Sequence, residues 1–132
     1  MVSPKQWGDA DALAAAIIEK TGGRIILATP LGLGKPNNLS NAIYRRSAQD
    51  ESVSLKIFTA LTLEKPVATG ELERRFMEPL AERLFAGYEE LEYAKALRGG
   101  NLPSNIKVTE FFLNAGQWLG VDAVQQNYVS AN

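Results

Sequence analysis

The sequence predicts an α/β fold, an open and mostly parallel sheet with flanking helices. Short apolar runs alternate with longer stretches of helical periodicity. Roughly thirty residues separate the first run from the second, the length of one right-handed βαβ unit. Glycine and proline punctuate nearly every junction.

The elements follow in order. Gly8 to Lys20 reads as a helix, with Asp9 or Asp11 able to cap its first turn and Gly22-Gly23 ending it. "RIILA", Arg24 to Ala28, is a continuous apolar run, the signature of a strand covered on both faces. A second helix is expected from Asn38 to Gln49, capped by Asn37 or Asn38, with Leu39, Ala42 and Ile43 as its apolar stripe. "SLKIFTALTL", Ser54 to Leu63, is the second strand. Glu71 to Arg98 is helical, and Pro79 is expected to interrupt it, giving two or three helices. Leu72, Phe76, Leu80, Leu84 and Phe85 should face inward. "IKVTEFFL", Ile106 to Leu113, is the third strand, and a short helix is expected near Gln117–Leu119 or Val124–Asn127. Three strands make a thin sheet, so the expectation for residues 1–132 is one incomplete domain whose sheet continues elsewhere.

Composition removes several chemistries. The chain has 132 residues, no cysteine and no histidine. Neither a Ser-His-Asp triad, a Cys-His pair, a Cys/His zinc site nor a disulfide scaffold can be built from it alone. A net charge of −1 gives no electrostatic reason to expect nucleic acid or an anionic membrane as a partner. "MVSPKQWGDADAL" has no apolar signal core, and the apolar stretch Leu13 to Ile18 is too short to span a bilayer. The expectation is a cytoplasmic protein.

The first strand leads into "TPLGLGKPNNLSNAIYRR", Thr29 to Arg46. A phosphate-binding P-loop fails here, because Pro36 stands where a Ser or Thr hydroxyl would hold magnesium and Thr29 stands at the leading glycine. A dinucleotide fingerprint matches Gly32 and Gly34 but meets Asn37 at its third position. What remains is a loop at the carboxyl end of a parallel strand, ahead of a helix N-terminus, where open α/β sheets bind ligands and where an anion is favoured. Gly32, Leu33, Gly34, Lys35, Pro36 and Asn37 are therefore the candidate substrate-binding residues. The bland alternative, a connection that needs glycine only for its dihedrals, stays open beside it. Glu64, after the second strand, and Glu110, on the third, are candidates to line a cleft. Each also reads as an ordinary solvated or locally bonded acid. The pairs Arg45-Arg46 and Arg74-Arg75 read as helix surface, and Trp7 and Trp118 as packing residues.

Five segments together carry a family resemblance: "LGLGKPNNLSNAIYRR", "LKIFTALTLEKP", "ELERRFMEPLAERLF", "LRGGNLPSNIKVTEFF" and "AGQWLGVDAVQQNYVSAN". In this order they resemble the N-terminal region of the acetyl-CoA hydrolase/transferase family, a branch of the CoA transferases. The resemblance implies two related α/β domains with the active site between them. It also implies coenzyme A as substrate rather than as a bound cofactor, with acyl-CoA and short-chain carboxylates as partners. A glutamate carboxylate attacks the acyl thioester, and a glutamyl-CoA thioester then passes CoA to a second acid; hydrolysis results if water takes the acyl group. No motif here matches that nucleophile, so no catalytic residue is carried over. Gly32 to Asn37 corresponds to a loop near the family's cleft, and Gln126 and Asn127 fall in matching sequence without an assigned role. The competing reading is a non-catalytic α/β module that binds an anionic metabolite or a partner. Homo-oligomerisation is left open.

Overall fold

The computed structural model describes residues 6–63, 65, 68, 70–111 and 120. The elements run α1 (Ala10–Lys20), β1 (Arg24–Ala28), a single 3₁₀ turn (Gly32–Gly34), α2 (Asn37–Gln49), β2 (Ser54–Ala60), α3 (Glu71–Phe85), α4 (Glu92–Arg98) and β3 (Ile106–Phe111). The three strands form a parallel sheet in the order β1-β2-β3. The α/β class and the open parallel sheet thus stand.

That strand order decides what the sheet can cover. Right-handed crossovers between strands laid down in sequence put both connections on one side. The burial pattern agrees. Ile25, Leu55, Ile57, Ile106 and Val108 are buried on the inner face with Ala42, Ile43, Tyr93, Ala94 and Leu97 of α2 and α4. Each large aliphatic side chain buried there contributes about 1.5–3 kcal/mol. The alternate residues point the other way, and Ile26, Phe58 and Phe111 are exposed. The expectation that β1 is covered on both faces is therefore corrected: it alternates, because no described helix lies over its second face.

α1 is capped by Asp9, whose carboxylate accepts from the Asp11 and Ala12 N–H groups, each at 3.1 Å. α1 packs on α2, and Arg46 of α2 pairs with Asp11 across the junction. α2 begins one residue earlier than expected, after Pro36, and has no side-chain cap, so neither asparagine plays the expected part. Two buried or bonded asparagines join the remaining elements. The Asn41 amide donates to Glu89 Oε1 (3.0 Å) and to the Glu90 carbonyl (2.9 Å), and its oxygen accepts from Glu92 N–H at the start of α4 (2.9 Å). Asn105, just before β3, donates to the carbonyls of Ser47 and Val53, both at 2.8 Å.

Three further expectations are corrected. Pro79 lies inside α3 without breaking it, and the interruption falls between Phe85 and Glu92. Proline deprives the Arg75 carbonyl of its helical donor, but Arg75 is exposed, so water can serve that carbonyl instead. Leu72, Phe76, Leu80 and Leu84 do not face inward; they are 83%, 82%, 49% and 62% exposed, and α3 has no buried residue. β2 stops at Ala60 rather than Leu63, because Leu61 takes a left-handed φ of +46° that no strand can continue through. The last two positions expected in β3, and the short C-terminal helix, lie outside the described residues.

Candidate functional site

The carboxyl ends of the three strands gather the polar groups that the inner face otherwise excludes. Thr29 Oγ1 and Thr59 Oγ1 lie 2.7 Å apart, joining the ends of β1 and β2. Thr59 and Thr62 are fully buried, and Thr62 Oγ1 lies 3.4 Å from the Tyr93 hydroxyl of α4. Burial pushes the Tyr93 phenol up, against hydrogen bonds to Thr62 and Thr59 that pull it down.

The segment after β2 is pinned from several directions. Glu110, near the end of β3, accepts the Thr62 N–H at 2.5 Å. The Leu61 carbonyl accepts from Gly32 N–H (3.2 Å) and from the Lys35 ammonium (3.3 Å). Lys35 also donates to the Ala60 carbonyl. Tyr88 donates its hydroxyl to the Leu63 carbonyl at 3.0 Å. A leucine held at positive φ is costly, of order 1–3 kcal/mol, and persists only where its surroundings over-determine it. These bonds are that over-determination.

The glycine loop sits on this platform. Gly32 is buried at φ +52°, and its N–H is committed to Leu61; the Gly34 N–H bonds to Leu31 O at 3.1 Å. Lys35, expected to add a point charge toward a ligand, is only 6% exposed and turns its ammonium inward to the β2 carbonyls. Desolvation lowers its pKa, partly offset by the Glu110 carboxylate. Leu33, Gly34 and Pro36 are exposed and Asn37 half-buried. Pro36 and Asn37 line an open concavity of about 320 Å³, which they share with Trp7, Asp9, Leu13 and Leu39.

Charge around that concavity is uneven. Asp9 already neutralises the positive end of α1. The first turn of α2 has neither an acidic residue nor a side-chain cap. Two buried oxygens in that turn, Asn37 Oδ1 and Ser40 Oγ, have no hydrogen-bond partner among the described residues. The dipole at this helix end favours a negative group, whereas Asn37 Oδ1 can only accept and so favours a donor, and the Asn37 and Ser40 N–H groups are already bonded to the Lys35 and Pro36 carbonyls.

The site residues named from sequence divide accordingly. Gly32 to Asn37 and Glu110 come together at the same edge of the sheet. Glu110 does so as the acceptor of the Thr62 N–H, 48 residues away in sequence. Glu64, Gln126 and Asn127 lie outside the described residues. Sequence reasoning missed Thr29, Thr59, Thr62, Tyr88 and Tyr93. The threonines at strand ends were visible as residues, but their convergence depends on strand order and register. Among the described residues no three His, Cys, Asp or Glu side chains group as a metal site, and no helix is long and apolar enough to cross a membrane. Comparison with family models, with curated proteins and with solved structures finds no match to this chain.

Proposed function

We propose that this chain is the N-terminal part of an acyl-CoA hydrolase or CoA transferase, and that Gly32–Asn37 forms one wall of its cleft. The observation that carries the reading is the loop's position. It lies at the carboxyl edge of parallel strands, its backbone held by Leu61 and Lys35, beside an uncapped helix N-terminus. The ordered resemblance of five segments supports the same chemistry. In that chemistry a glutamate from outside these residues attacks the acyl thioester carbonyl and expels the CoA thiolate. The thiolate attacks the resulting glutamyl anhydride, releasing the acyl group as its carboxylate and leaving glutamyl-CoA. An acceptor carboxylate then takes CoA by the reverse steps. The part given to this chain is to orient the carboxylate through a loop that lets a ligand approach the backbone, with the positive end of the α2 dipole beside it.

The test uses Gly34, because its substitution separates ligand approach from folding. A Cβ there would meet only Pro30, at 3.6 and 3.7 Å, and its φ is not left-handed. Calorimetric titration with coenzyme A, acetate and succinate should detect binding that Gly34→Val weakens at least tenfold with an unchanged thermal melt. The chain alone should not hydrolyse acetyl-CoA. Robust turnover by these 132 residues, or no binding of any of the three ligands, overturns the proposal. Binding of short carboxylates with no affinity for coenzyme A would instead favour the metabolite-binding module.

A further inference from the structure

Lys35 is buried with its charge, and its bonds go to the main chain of another element rather than to an acid. Burying an ammonium is costly unless it is bonded. Here the donors meet two carbonyls, those of Ala60 and Leu61. The two carbonyls are consecutive. Along a strand, successive carbonyls point to opposite sides, so one cation cannot reach both. It reaches both here because Leu61, directly after β2, takes a φ of +46° and leaves the extended form. That turn is unfavourable twice over. An L-residue is strained in the left-handed region, and two carbonyl oxygens turned toward one point repel each other. A positive charge shared by the two oxygens offsets both. The Leu61 carbonyl also accepts the Gly32 N–H at 3.2 Å, and Gly32 is buried and left-handed itself, at φ +52°. The loop is thereby closed into a ring. It runs from Gly32 along the 3₁₀ turn to Lys35, through the ammonium to Leu61, and back to the Gly32 N–H.

We infer that Lys35 is the positioning residue of the Gly32–Asn37 loop: its charge holds Leu61 in the left-handed turn, and the Leu61 carbonyl in turn fixes the Gly32 end, without Lys35 touching any ligand. The neighbouring bonds cannot take this part. Glu110 holds the Thr62 N–H, Tyr88 holds the Leu63 carbonyl, and the Leu61 N–H goes to the Phe111 carbonyl. None of them meets the carbonyl that Gly32 shares. Of the two donors that do, Gly32 is neutral and Lys35 is charged, and a bond from a charged donor is roughly twice as strong as a neutral one. A neutral side chain of similar length would fill the same space and leave the two carbonyls facing each other without the cation. A loop fixed in this way before binding loses less freedom when a ligand arrives. That benefit rests on the loop being a cleft wall, as proposed above; the coupling of Lys35 to Leu61 and Gly32 does not.

Amide hydrogen exchange of the full chain, read by NMR, tests the coupling with Lys35→Met, Leu61→Gly and the double variant. Methionine keeps most of the lysine stem and removes the charge, so a lysine that only filled space would be matched by it. Lys35→Met should accelerate exchange at the Gly32 amide by about tenfold or more, and at Ile57, buried in the middle of β2, by less than about threefold. Glycine takes a positive φ without steric cost, so in the Leu61→Gly chain the turn no longer needs the cation. Adding Lys35→Met to that chain should accelerate Gly32 exchange by less than about threefold. Unchanged exchange at Gly32 in Lys35→Met overturns the proposal. Equal acceleration at Gly32 and Ile57, or a Lys35→Met chain that does not fold, also overturns it, because the lysine then supports the whole fold rather than the loop. So does a full tenfold effect in the Leu61→Gly background, which would mean that the charge acts on Gly32 by a route other than Leu61. A native chain that binds none of coenzyme A, acetate and succinate defeats the cleft reading alone, and the exchange pattern still decides the role of Lys35.

Discussion

Two glycines only two positions apart have different physical reasons to be there. Gly32 sits at φ +52°, where an L-residue brings its Cβ against the following carbonyl. The nearest atom to a Cβ added there would be Leu63 Cδ1, at an ordinary 3.8 Å, so the cost of a side chain is conformational rather than a clash with a neighbour. Gly34 has neither problem. Gly32→Ala should therefore destabilise the fold by about 1–2 kcal/mol, while Gly34→Ala should shift it by less than about 0.5 kcal/mol. Urea denaturation of the two variants decides it, and equal effects would contradict the assignment of Gly32 as the structural glycine and Gly34 as the one available to a ligand. The residue types and spacing of this loop were legible in the sequence, and so was its place after a strand. The direction of Lys35 was not. A lysine beside a glycine gives no local sign that it will turn inward, because the carbonyls it meets belong to β2 and its end, 25 residues away.

At the scale of elements, each helix and strand among the described residues was legible in the sequence, because apolar runs and their glycine or proline borders are local signals. Faces were less legible. Periodicity shows that Leu72, Phe76, Leu80 and Leu84 share a stripe; it cannot show whether anything covers that stripe. Strand ends were also hidden, since Leu61 leaves the sheet through contacts with Gly32 and Lys35 rather than through its own chemistry. Asn41 is the clearest case of an element held by one side chain. It is fully buried and makes three bonds to the segment Glu89–Glu92, including the one that fixes the start of α4. Asn41→Ala would leave the Glu90 carbonyl and the Glu92 N–H without this partner, at a cost of about 1–3 kcal/mol for each group that stays buried. The expected result is a loss of about 2–4 kcal/mol in unfolding free energy, with amide exchange in α4 accelerated more than exchange in β2. Uniform acceleration across the chain would mean that Asn41 supports the core generally rather than docking α4.

For the whole molecule, buried ionisable groups at the carboxyl edge and on α2 make stability depend on alkaline pH in two opposing steps. Burial lowers the Lys35 pKa from its ordinary 10.5. Between its folded value and 10.5 the unfolded chain holds a proton that the native chain has released, so stability rises with pH across that interval. Tyr93 and Tyr44 behave in the opposite way. Burial raises both phenols above the ordinary 10.0, with the Glu92 carboxylate adding to the effect at Tyr44. Above about pH 10 the unfolded chain ionises these tyrosines while the native chain keeps them protonated, so stability falls. The denaturation midpoint should therefore rise as pH climbs toward about 10 and decline beyond it. Lys35→Met should remove the rising limb, and Tyr93→Phe should soften the falling one without altering the rise. A midpoint that falls steadily from about pH 7, with Lys35→Met following the same course as the native chain, would show that the ammonium is solvated in solution. The platform beneath the glycine loop would then be held by Gly32, Glu110 and Tyr88 alone.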